Sequence, residues 1–299
     1  METITSLERV SFETLYATFK EAFGDYEMQV NKNELQVMLS RRGFDASLSF
    51  GLFEDDELKS FIFNGVGIFK GEKTAYDSGT GTLKECRGKG YASKIFAYSL
   101  PYLRKAGVSQ YLLEVLQHNT GAYSVYKKLG FEVSREFNYF VQDASQVRIP
   151  ERALPAGYEI REISAGRLAE TNGLGEFGEF GGFGDLSDFG DFAPSWQNSN
   201  EAIARRAEDF RVFVAMHHWK PVGYCIFEPA SGDVTQIAVA ETHRRKGIAS
   251  ALLTEALKAN RHTNIKIVNT EPGCTSITDF LASIGITPKG KQFEMIMRL

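Results

Sequence analysis

The chain has 299 residues, of which 43% are hydrophobic and 24% are charged, and its formal net charge at pH 7 is −4. This composition is typical of a globular protein with enough apolar residues for two domains of ordinary size. The slightly acidic balance argues against a nucleic-acid-binding protein that depends on overall positive charge, so only local basic loops remain as anion sites.

No apolar run approaches the roughly 18 residues of a membrane span, and the first residues lack a basic segment followed by an apolar core. We therefore expect a cytoplasmic protein without membrane contact. Its three cysteines, Cys86, Cys225 and Cys274, lack metal-site spacing and are expected to be free thiols. The adjacent His217 and His218 are expected to point to opposite faces of a strand, and we predict no metal site.

The first half begins with two predicted helices. Apolar side chains recur at helical spacing from Phe12 to Phe23 behind the capping residue Ser11, and a second helix is expected from Asn33 to Arg42. These helices are joined by a polar loop that contains Asp25, Tyr26 and Glu27.

Three strands are predicted next, over Leu48–Phe53, Leu58–Phe69 and Lys73–Thr82. The third strand ends in Gly79, Gly81 and Thr82. Glycine at these positions fits either close approach of a ligand or a β-bulge.

A basic loop follows the third strand, and its pattern, Arg-x-x-Gly-x-Ala, occurs again 157 residues later. Each copy lies between a strand-like run and an amphipathic, helix-like run. The copies consist of Arg87, Gly88, Lys89, Gly90, Tyr91 and Ala92 and of Arg244, Arg245, Lys246, Gly247, Ile248 and Ala249.

This position favours phosphate binding. The first four N–H groups of a helix lack intrahelical partners, the helix dipole adds positive charge there, and the Arg and Lys side chains of the loop supply full charges. A Walker loop is excluded because it needs Gly-Lys followed by Ser or Thr, whereas Gly88-Lys89 is followed by Gly90 and Lys246-Gly247 by Ile248. A dinucleotide fingerprint is excluded because Gly79-x-Gly81 has no third glycine.

A helix from Gly90 to Ala106, expected to kink at Pro101, and a strand from Tyr111 to Leu116 lead to the most specific segment of the chain. This segment reads Asn119-x-x-Ala122-x-x-x-Tyr126-x-Lys128-x-Gly130-Phe131. Strand material from Glu132 to Phe140 completes the first half.

The loop and this segment together resemble the GNAT superfamily of N-acetyltransferases, whose motif A reads [Gln/Arg]-x-x-Gly-x-[Gly/Ala]. The resemblance implies an α/β fold with a mixed, mostly antiparallel sheet flanked by helices. It implies that the loop amides hold the pyrophosphate of acetyl-CoA, and that the strand end at Thr82 pairs with the pantetheine arm. It further implies that Asn119 hydrogen-bonds to that arm and that Tyr126 protonates the departing thiolate.

The general base has only candidates. Asp77 and Glu114 lie on strands near the expected cleft, and a water chain is the alternative. Asp25, Tyr26 and Glu27 are candidates for acceptor contact, since the family uses the loop between the first two helices for its acceptor site.

The periodicity stops between residues 146 and 157 and then restarts, which predicts two tandem GNAT-type domains, 1–145 and 158–299, joined by a linker. In the second domain Val239 takes the place of Thr82. The predicted elements are strands at 158–163, 211–217, 222–227, 233–239, 265–269 and 292–299, and helices at 164–171, 201–208, 247–260 and 275–284.

The second copy departs from the family pattern. Aligning Gly285 with Gly130 puts Leu281 at the position of Tyr126 and Cys274 at that of Asn119. The second domain is therefore expected to bind CoA through its loop without the usual acid. Residues 173–192, rich in Gly, Phe and acidic side chains, form either an acidic aromatic lid that attracts a cationic amine or an unstructured insertion.

The sequence thus predicts transfer of an acetyl group from acetyl-CoA to a primary amine of a small molecule or peptide, mainly in the first domain. Backbone N–H groups near the end of the third strand would stabilise the oxyanion. Two alternatives stay open, a non-catalytic acyl-CoA sensor and an acyltransferase with another acyl donor. The identity of the acceptor and the oligomeric state are left open.

Overall fold

The computed structural model describes residues 1–25, 29–165 and 189–299. The chain forms two compact units: unit 1 comprises Met1–Ser134 and Phe293–Leu299, and unit 2 comprises Arg135–Gln292. The candidate residues Tyr26 and Glu27, most of the predicted helix at 164–171, and residues 173–188 of the Gly/Phe stretch lie outside the described residues.

Unit 1 contains five complete strands and the end of a sixth among its described residues. The strands are β1 (Glu2–Ser6), β2 (Phe50–Glu54), β3 (Glu57–Phe69), β4 (Glu72–Thr82) and β5 (Gln110–Leu116), and the helices are α1 (Phe12–Ala22), α2 (Lys32–Arg41), α3 (Tyr91–Lys105) and α4 (Thr120–Lys128). The sheet order is β1-β2-β3-β4-β5 followed by the end of the last strand of the chain, β12 (Pro288–Arg298). Only β4 and β5 are parallel among the registered pairs of this unit.

Unit 2 repeats this topology. Its strands are β6 (Glu132–Asp143), β7 (Tyr158–Ser164), β8 (Arg211–His217), β9 (Lys220–Glu228), β10 (Asp233–Val239) and β11 (Asn264–Thr270), and its described helices are α5 (Asn200–Ala204), α6 (Ile248–Ala259) and α7 (Thr275–Ser283). The order is β7-β8-β9-β10-β11-β6, with β10 and β11 parallel.

The units do not follow the predicted boundaries at 145 and 158, because each unit takes a strand from the other half of the sequence. From Arg135 onward β6 belongs to unit 2, where Asn138–Asp143 pair antiparallel with β11. From Phe293 onward β12 belongs to unit 1 and lies beside β5. Strand pairing, rather than the linker, therefore sets the limits of the two units.

Most predicted elements form, with ends shifted by a few residues. Ser11 caps α1 by accepting a hydrogen bond from the Thr14 N–H, and β10 has the predicted bounds. The helix expected at 201–208 is shorter, with α5 followed by a 3₁₀ turn. Helix α3 continues through Pro101. Among the described residues, no helix is long and apolar enough to span a membrane.

A β-bulge interrupts the pairing of β3 with β4. Phe63 pairs with Gly79 while Asn64 pairs with Asp77, so Ser78 is the extra residue. Gly81 has a packing role: a Cβ there would lie 2.4 Å from the Phe61 ring. That ring is fully buried and stacked on Phe63 with centroids 4.2 Å apart.

We predict that Gly81→Ala lowers the free energy of unfolding by about 1–3 kcal/mol, because the stacked Phe61 ring must shift to admit the methyl group. Gly79→Ala is the matched control. A Cβ at Gly79 meets Phe63 at an ordinary 3.7 Å, so its stability should stay near that of the parent protein. Urea denaturation measures both, and equal stabilities of the two variants would contradict the packing role.

Candidate active site

The two basic loops start helices in an unusual way. Gly90 and Gly247 are the N-caps of α3 and α6, both left-handed with φ of 77° and 84°, and neither helix has a side-chain cap. By contrast, Ser11, Asn31 and Asn119 cap α1, α2 and α4 with side-chain oxygens. Glycine is required here by the left-handed backbone, and it leaves the helix start open.

The first helical hydrogen bond of α3 runs from the Lys94 N–H to the Gly90 carbonyl, 3.0 Å, and that of α6 from Ala251 to Gly247, 3.0 Å. The N–H groups of residues 91–93 and 248–250 therefore precede the first helical bond of each helix. Such groups, together with the helix dipole, form an anion site. The geometry of both loops fits a phosphate-bearing ligand.

The first arginine of each loop binds protein groups rather than facing outward as a free charge. Arg87 donates to the Thr82 carbonyl at 3.4 Å and to both carboxylate oxygens of Asp25 at 2.6 and 2.9 Å. Arg244 donates to the Val239 carbonyl at 2.9 Å and to Asp191 at 2.7 Å. Each of these arginines ties its loop to the strand end and to an acidic residue, and its predicted contact with a phosphate stays a prediction.

Ion pairing lowers the pKa of both acids. The hydrogen bond from Arg87 lowers the pKa of Asp25 to about 2. Burial would raise the pKa of Asp191, but hydrogen bonds from Ser276 and Arg244 outweigh it and hold that pKa below its ordinary value. Both carboxylates are charged at neutral pH, so both arginine contacts are ion pairs.

The remaining loop side chains take different positions. The phenol of Tyr91 is turned to Glu2 and Glu54, and the Lys89 ammonium lies 5.5 Å from the Tyr91 ring centroid. Lys246 donates to the phenol oxygen of Tyr158 at 3.1 Å. Some loop residues predicted to bind CoA have no charged side chain and could contact a phosphate only through their backbone N–H groups: Gly88, Tyr91, Ala92, Ile248 and Ala249.

Asp77 and Tyr126 come together where β4 and β5 part. The parallel pairing of these strands covers Thr74 with Gln110 to Tyr76 with Leu112, and Asp77 is the next residue of β4. The Tyr126 hydroxyl, brought in by α4, donates to Asp77 Oδ2 at 2.9 Å. Two residues proposed separately as base and acid thus share one hydrogen bond.

The Asp77 carboxylate has further donors: the Gly79 N–H at 3.0 Å and the Thr80 hydroxyl at 2.7 Å. Burial raises the pKa of Asp77 above its ordinary value, although these hydrogen bonds and the charge of Arg42 act to lower it. Arg42 also donates to the Ser78 carbonyl at 3.0 Å and so holds the bulge beside Asp77. The sequence analysis did not identify Arg42 or Thr80.

The other two candidates of unit 1 have different surroundings. Glu114 is hydrogen-bonded to Tyr76, a buried residue whose pKa is raised by burial and by the Glu114 charge. Asn119 uses its side-chain oxygen to cap α4, accepting from the Ala122 N–H at 3.1 Å.

Unit 2 has apolar residues at the positions of the acid–base pair. Val234 precedes the bulge of β10, as Asp77 precedes that of β4. Leu281 accepts a backbone hydrogen bond from Ile286 at 2.9 Å, as Tyr126 does from Phe131 at 3.0 Å. Both Val234 and Leu281 are 1% exposed. The alignment of Leu281 with Tyr126 therefore has a structural counterpart, and the equivalent of Asp77 is also unable to transfer a proton.

A cavity of about 680 Å³ lies in unit 2, in front of the second loop. Its lining includes Arg244, Arg245 and Gly247 of the loop, Arg152 from the predicted linker, and Cys274 at the start of α7. Arg152 carries no recognisable motif and was not identified from the sequence.

The two adjacent histidines do not point to opposite faces, which corrects the sequence prediction. His218 lies in a turn with φ of 47°, and its ring centroid is 4.2 Å from that of His217. His217 stacks on Tyr158, whose hydroxyl is 2.8 Å from His243 Nδ1. Burial lowers the pKa of His217 and of His243, with the nearby Lys246 charge adding to the effect.

The described residues contain no group of three or more His, Cys, Asp or Glu side chains that could hold a metal ion.

The comparisons with known proteins identify the fold as that of acyltransferases, a family that uses an acyl-CoA as co-substrate. The acetyltransferase (GNAT) family matches residues 11–131, and a GNAT acetyltransferase domain matches residues 208–282. The two matches together cover more than half of the chain, and the protein belongs to the GNAT acetyltransferase family in a tandem arrangement.

Solved structures share the fold over the whole chain. A tandem GNAT protein from the clavulanic acid biosynthesis pathway has a TM-score of 0.73 at 13% identity, covering 100% of this chain and 98% of its own. A GCN5-related N-acetyltransferase from Sphaerobacter thermophilus has a TM-score of 0.69 at 14% identity, with 99% and 95% covered. No curated protein matches the chain.

We predict that Tyr126→Phe raises the pKa of Asp77 further, because it removes a donor that favours the charged carboxylate. The folded-state pKa already exceeds the ordinary value, so the free energy of unfolding falls as pH rises through it, and this fall should grow in the variant. NMR titration of carboxyl-labelled aspartate measures the pKa.

Tyr123→Phe is the matched control, since Tyr123 lies on the same helix but packs on Phe293. An Asp77 titration that is unchanged in Tyr126→Phe, or equally displaced in the control, would contradict the direct contact.

Proposed function

We propose that unit 1 transfers an acetyl group from acetyl-CoA to a primary amine of a small molecule or peptide. The observation that carries the proposal is the hydrogen bond from Tyr126 to Asp77 at the point where β4 and β5 part. Membership in the GNAT family supports acyl transfer from CoA in general, and the open start of α3 suits the phosphates of CoA.

In this proposal Asp77 is the base. Its raised pKa makes the carboxylate a stronger proton acceptor than an exposed aspartate, which suits removal of a proton from an ammonium group. The Gly79 N–H, the Thr80 hydroxyl and Arg42 hold its orientation and its charge. The amine nitrogen, once deprotonated, attacks the thioester carbonyl.

Tyr126 is the acid in the same proposal. As the C–N bond forms and the C–S bond breaks, the Tyr126 hydroxyl gives its proton to the departing sulfur. Asp77, now protonated, returns a proton to the phenolate along the hydrogen bond that joins them. The nitrogen loses two protons in all: one passes to the thiol through the pair, and the second leaves the new amide nitrogen to water, so both side chains end as they began.

The chemistry is assigned to unit 1 because Val234 and Leu281 replace the pair in unit 2. Unit 2 retains the loop and a cavity, which favours binding of an acyl-CoA there without turnover. Unit 1 is then the proposed enzyme, and unit 2 takes the alternative role of an acyl-CoA sensor. Glu114, which is hydrogen-bonded to Tyr76, remains the other candidate for the base.

Replacement of either member of the pair tests the catalytic assignment. We expect Tyr126→Phe and Asp77→Asn each to lower kcat by about 100-fold or more, the usual contribution of a positioned acid or base. Thiol release from acetyl-CoA over a panel of amines measures this, with Tyr123→Phe as control. Full turnover by Tyr126→Phe would contradict the acid role.

The two loops are tested by calorimetry with acetyl-CoA. We expect two sites in the parent protein and one site in Gly90→Asp and in Gly247→Asp, because each aspartate puts a negative charge where a phosphate binds. A Cβ at Gly90 meets nothing within 4 Å and one at Gly247 meets only Arg152 at 3.6 Å, so both variants have room to fold.

Gly90→Ala and Gly247→Ala are the controls, since they impose the same left-handed strain without the charge. Loss of turnover in Gly247→Asp but not in Gly90→Asp would reverse the assignment of the reaction to unit 1.

A further inference from the structure

Beside apolar lining residues of β10 and β11 such as Val234 and Ile267, the unit 2 cavity has a polar wall, which we define by six neutral polar side chains. They come from the residues before α5, from α5 itself, and from β10 and β11: Asn198, Asn200, Thr235, Gln236, Asn269 and Thr270. This wall contrasts with unit 1, where Asp77 lies next to the parting strands. The chemistry of the wall is hydrogen bonding without charge.

Neighbouring groups fix the orientation of Asn198. Its amide nitrogen donates to the Val268 carbonyl at 2.9 Å, so the amide oxygen faces away from that carbonyl. The Gln236 side chain donates to the backbone carbonyl of Asn198 at 2.6 Å and accepts from the Tyr224 hydroxyl at 2.9 Å. The wall is therefore ordered by its own hydrogen bonds.

Two buried atoms of this wall lack a partner within the described part of the chain: Asn198 Oδ1 and Thr270 Oγ1. Both residues are 3% exposed, and both line the cavity. Buried polar atoms are nearly always hydrogen-bonded, and an unpaired one destabilises the folded protein. A ligand that pairs with both atoms removes this penalty.

We propose that unit 2 binds an acyl-CoA whose acyl group carries a hydroxyl, and holds it without transferring it. The inference rests on the proposed binding of CoA by the loop at Arg244–Ala249, which lines the same cavity. A hydroxyl within reach of both atoms would donate to Asn198 Oδ1 and accept from Thr270 Oγ1, whereas an alkyl group would leave both atoms unpaired. A carboxylate would place a negative charge against the Asn198 oxygen. Val234 and Leu281 supply neither base nor acid, so the thioester stays intact.

The test compares two thioesters that differ by one oxygen, 3-hydroxybutyryl-CoA and butyryl-CoA. In Gly90→Asp, where only the second loop is open, calorimetry should show about tenfold tighter binding of the hydroxyacyl compound. Adding Thr270→Val should abolish the difference. Because Thr270 Oγ1 has no partner among the described residues, this isosteric change should leave the melting temperature of the ligand-free protein unchanged or higher.

Thr254→Val is the matched control, since Thr254 lies on α6 and donates to the Ser250 carbonyl; it should leave the preference intact. Equal affinities for the two thioesters, a preference that survives Thr270→Val, or no binding of either compound would overturn the inference. So would thiol release from 3-hydroxybutyryl-CoA by Gly90→Asp in the presence of amines. None of these results touches transfer in unit 1, which Gly247→Asp reports separately.

Discussion

The site of unit 1 depends on the end of the parallel pairing between β4 and β5. While the strands are paired, their backbone groups are satisfied by each other and their side chains pack in the core, as Tyr76 and Leu112 do. One residue later, Asp77 lies at the opening of the gap and is held by donors from its own strand and from α4. The parting thus places a desolvated carboxylate at the end of the paired segment, and desolvation is the main reason that its pKa is raised.

The bulge next to Asp77 is part of the same device. An extra residue in one strand changes the local direction of that strand and re-aims the side chains beside it. Unit 2 has its bulge at the corresponding place, at Thr235, yet Val234 takes the position of the carboxylate. The strand geometry is therefore common to both units, whereas the carboxyl and phenol groups proposed for proton transfer lie in unit 1 and apolar residues take their positions in unit 2. Ligand binding and catalysis are separable in such a fold, because the same backbone arrangement can carry different side chains.

Much of the fold was predictable because local sequence patterns indicate where its strands and helices lie. Periodicity located most strands and helices, and Ser11 and the glycines of the loops marked helix starts correctly. β1 was missed because its side chains are mostly exposed and carry no apolar alternation. The exchange of β6 and β12 could not be predicted, since alternation shows that a segment is a strand but not which distant strand it pairs with.

For the candidate site too, local motifs predicted the residues but not the contacts between them. Motif spacing selected Asp77 and Tyr126 as separate candidates, but their hydrogen bond joins residues 49 positions apart in sequence and is visible only in the fold. The same limit applies to the protein contacts of Arg87 and Arg244. A basic loop indicates positive charge near a phosphate, whereas the partners of a particular guanidinium depend on which loop packs against it. Asp25 and Asp191 had no signal that linked them to these arginines.

The paired arginines bear on why unit 2 retains its shape. In each unit an arginine joins three parts of the protein: the loop that it begins, the end of the preceding strand, and an acidic residue from the segment between the first two strands of the unit. The contact is partly exposed in both units, so it contributes little to global stability. Its effect is local, because a planar guanidinium bound on two sides fixes the relative position of the groups that it joins. Unit 2 has this contact together with Val234 and Leu281, so the ordering of the loop does not depend on the proton-transfer pair of unit 1.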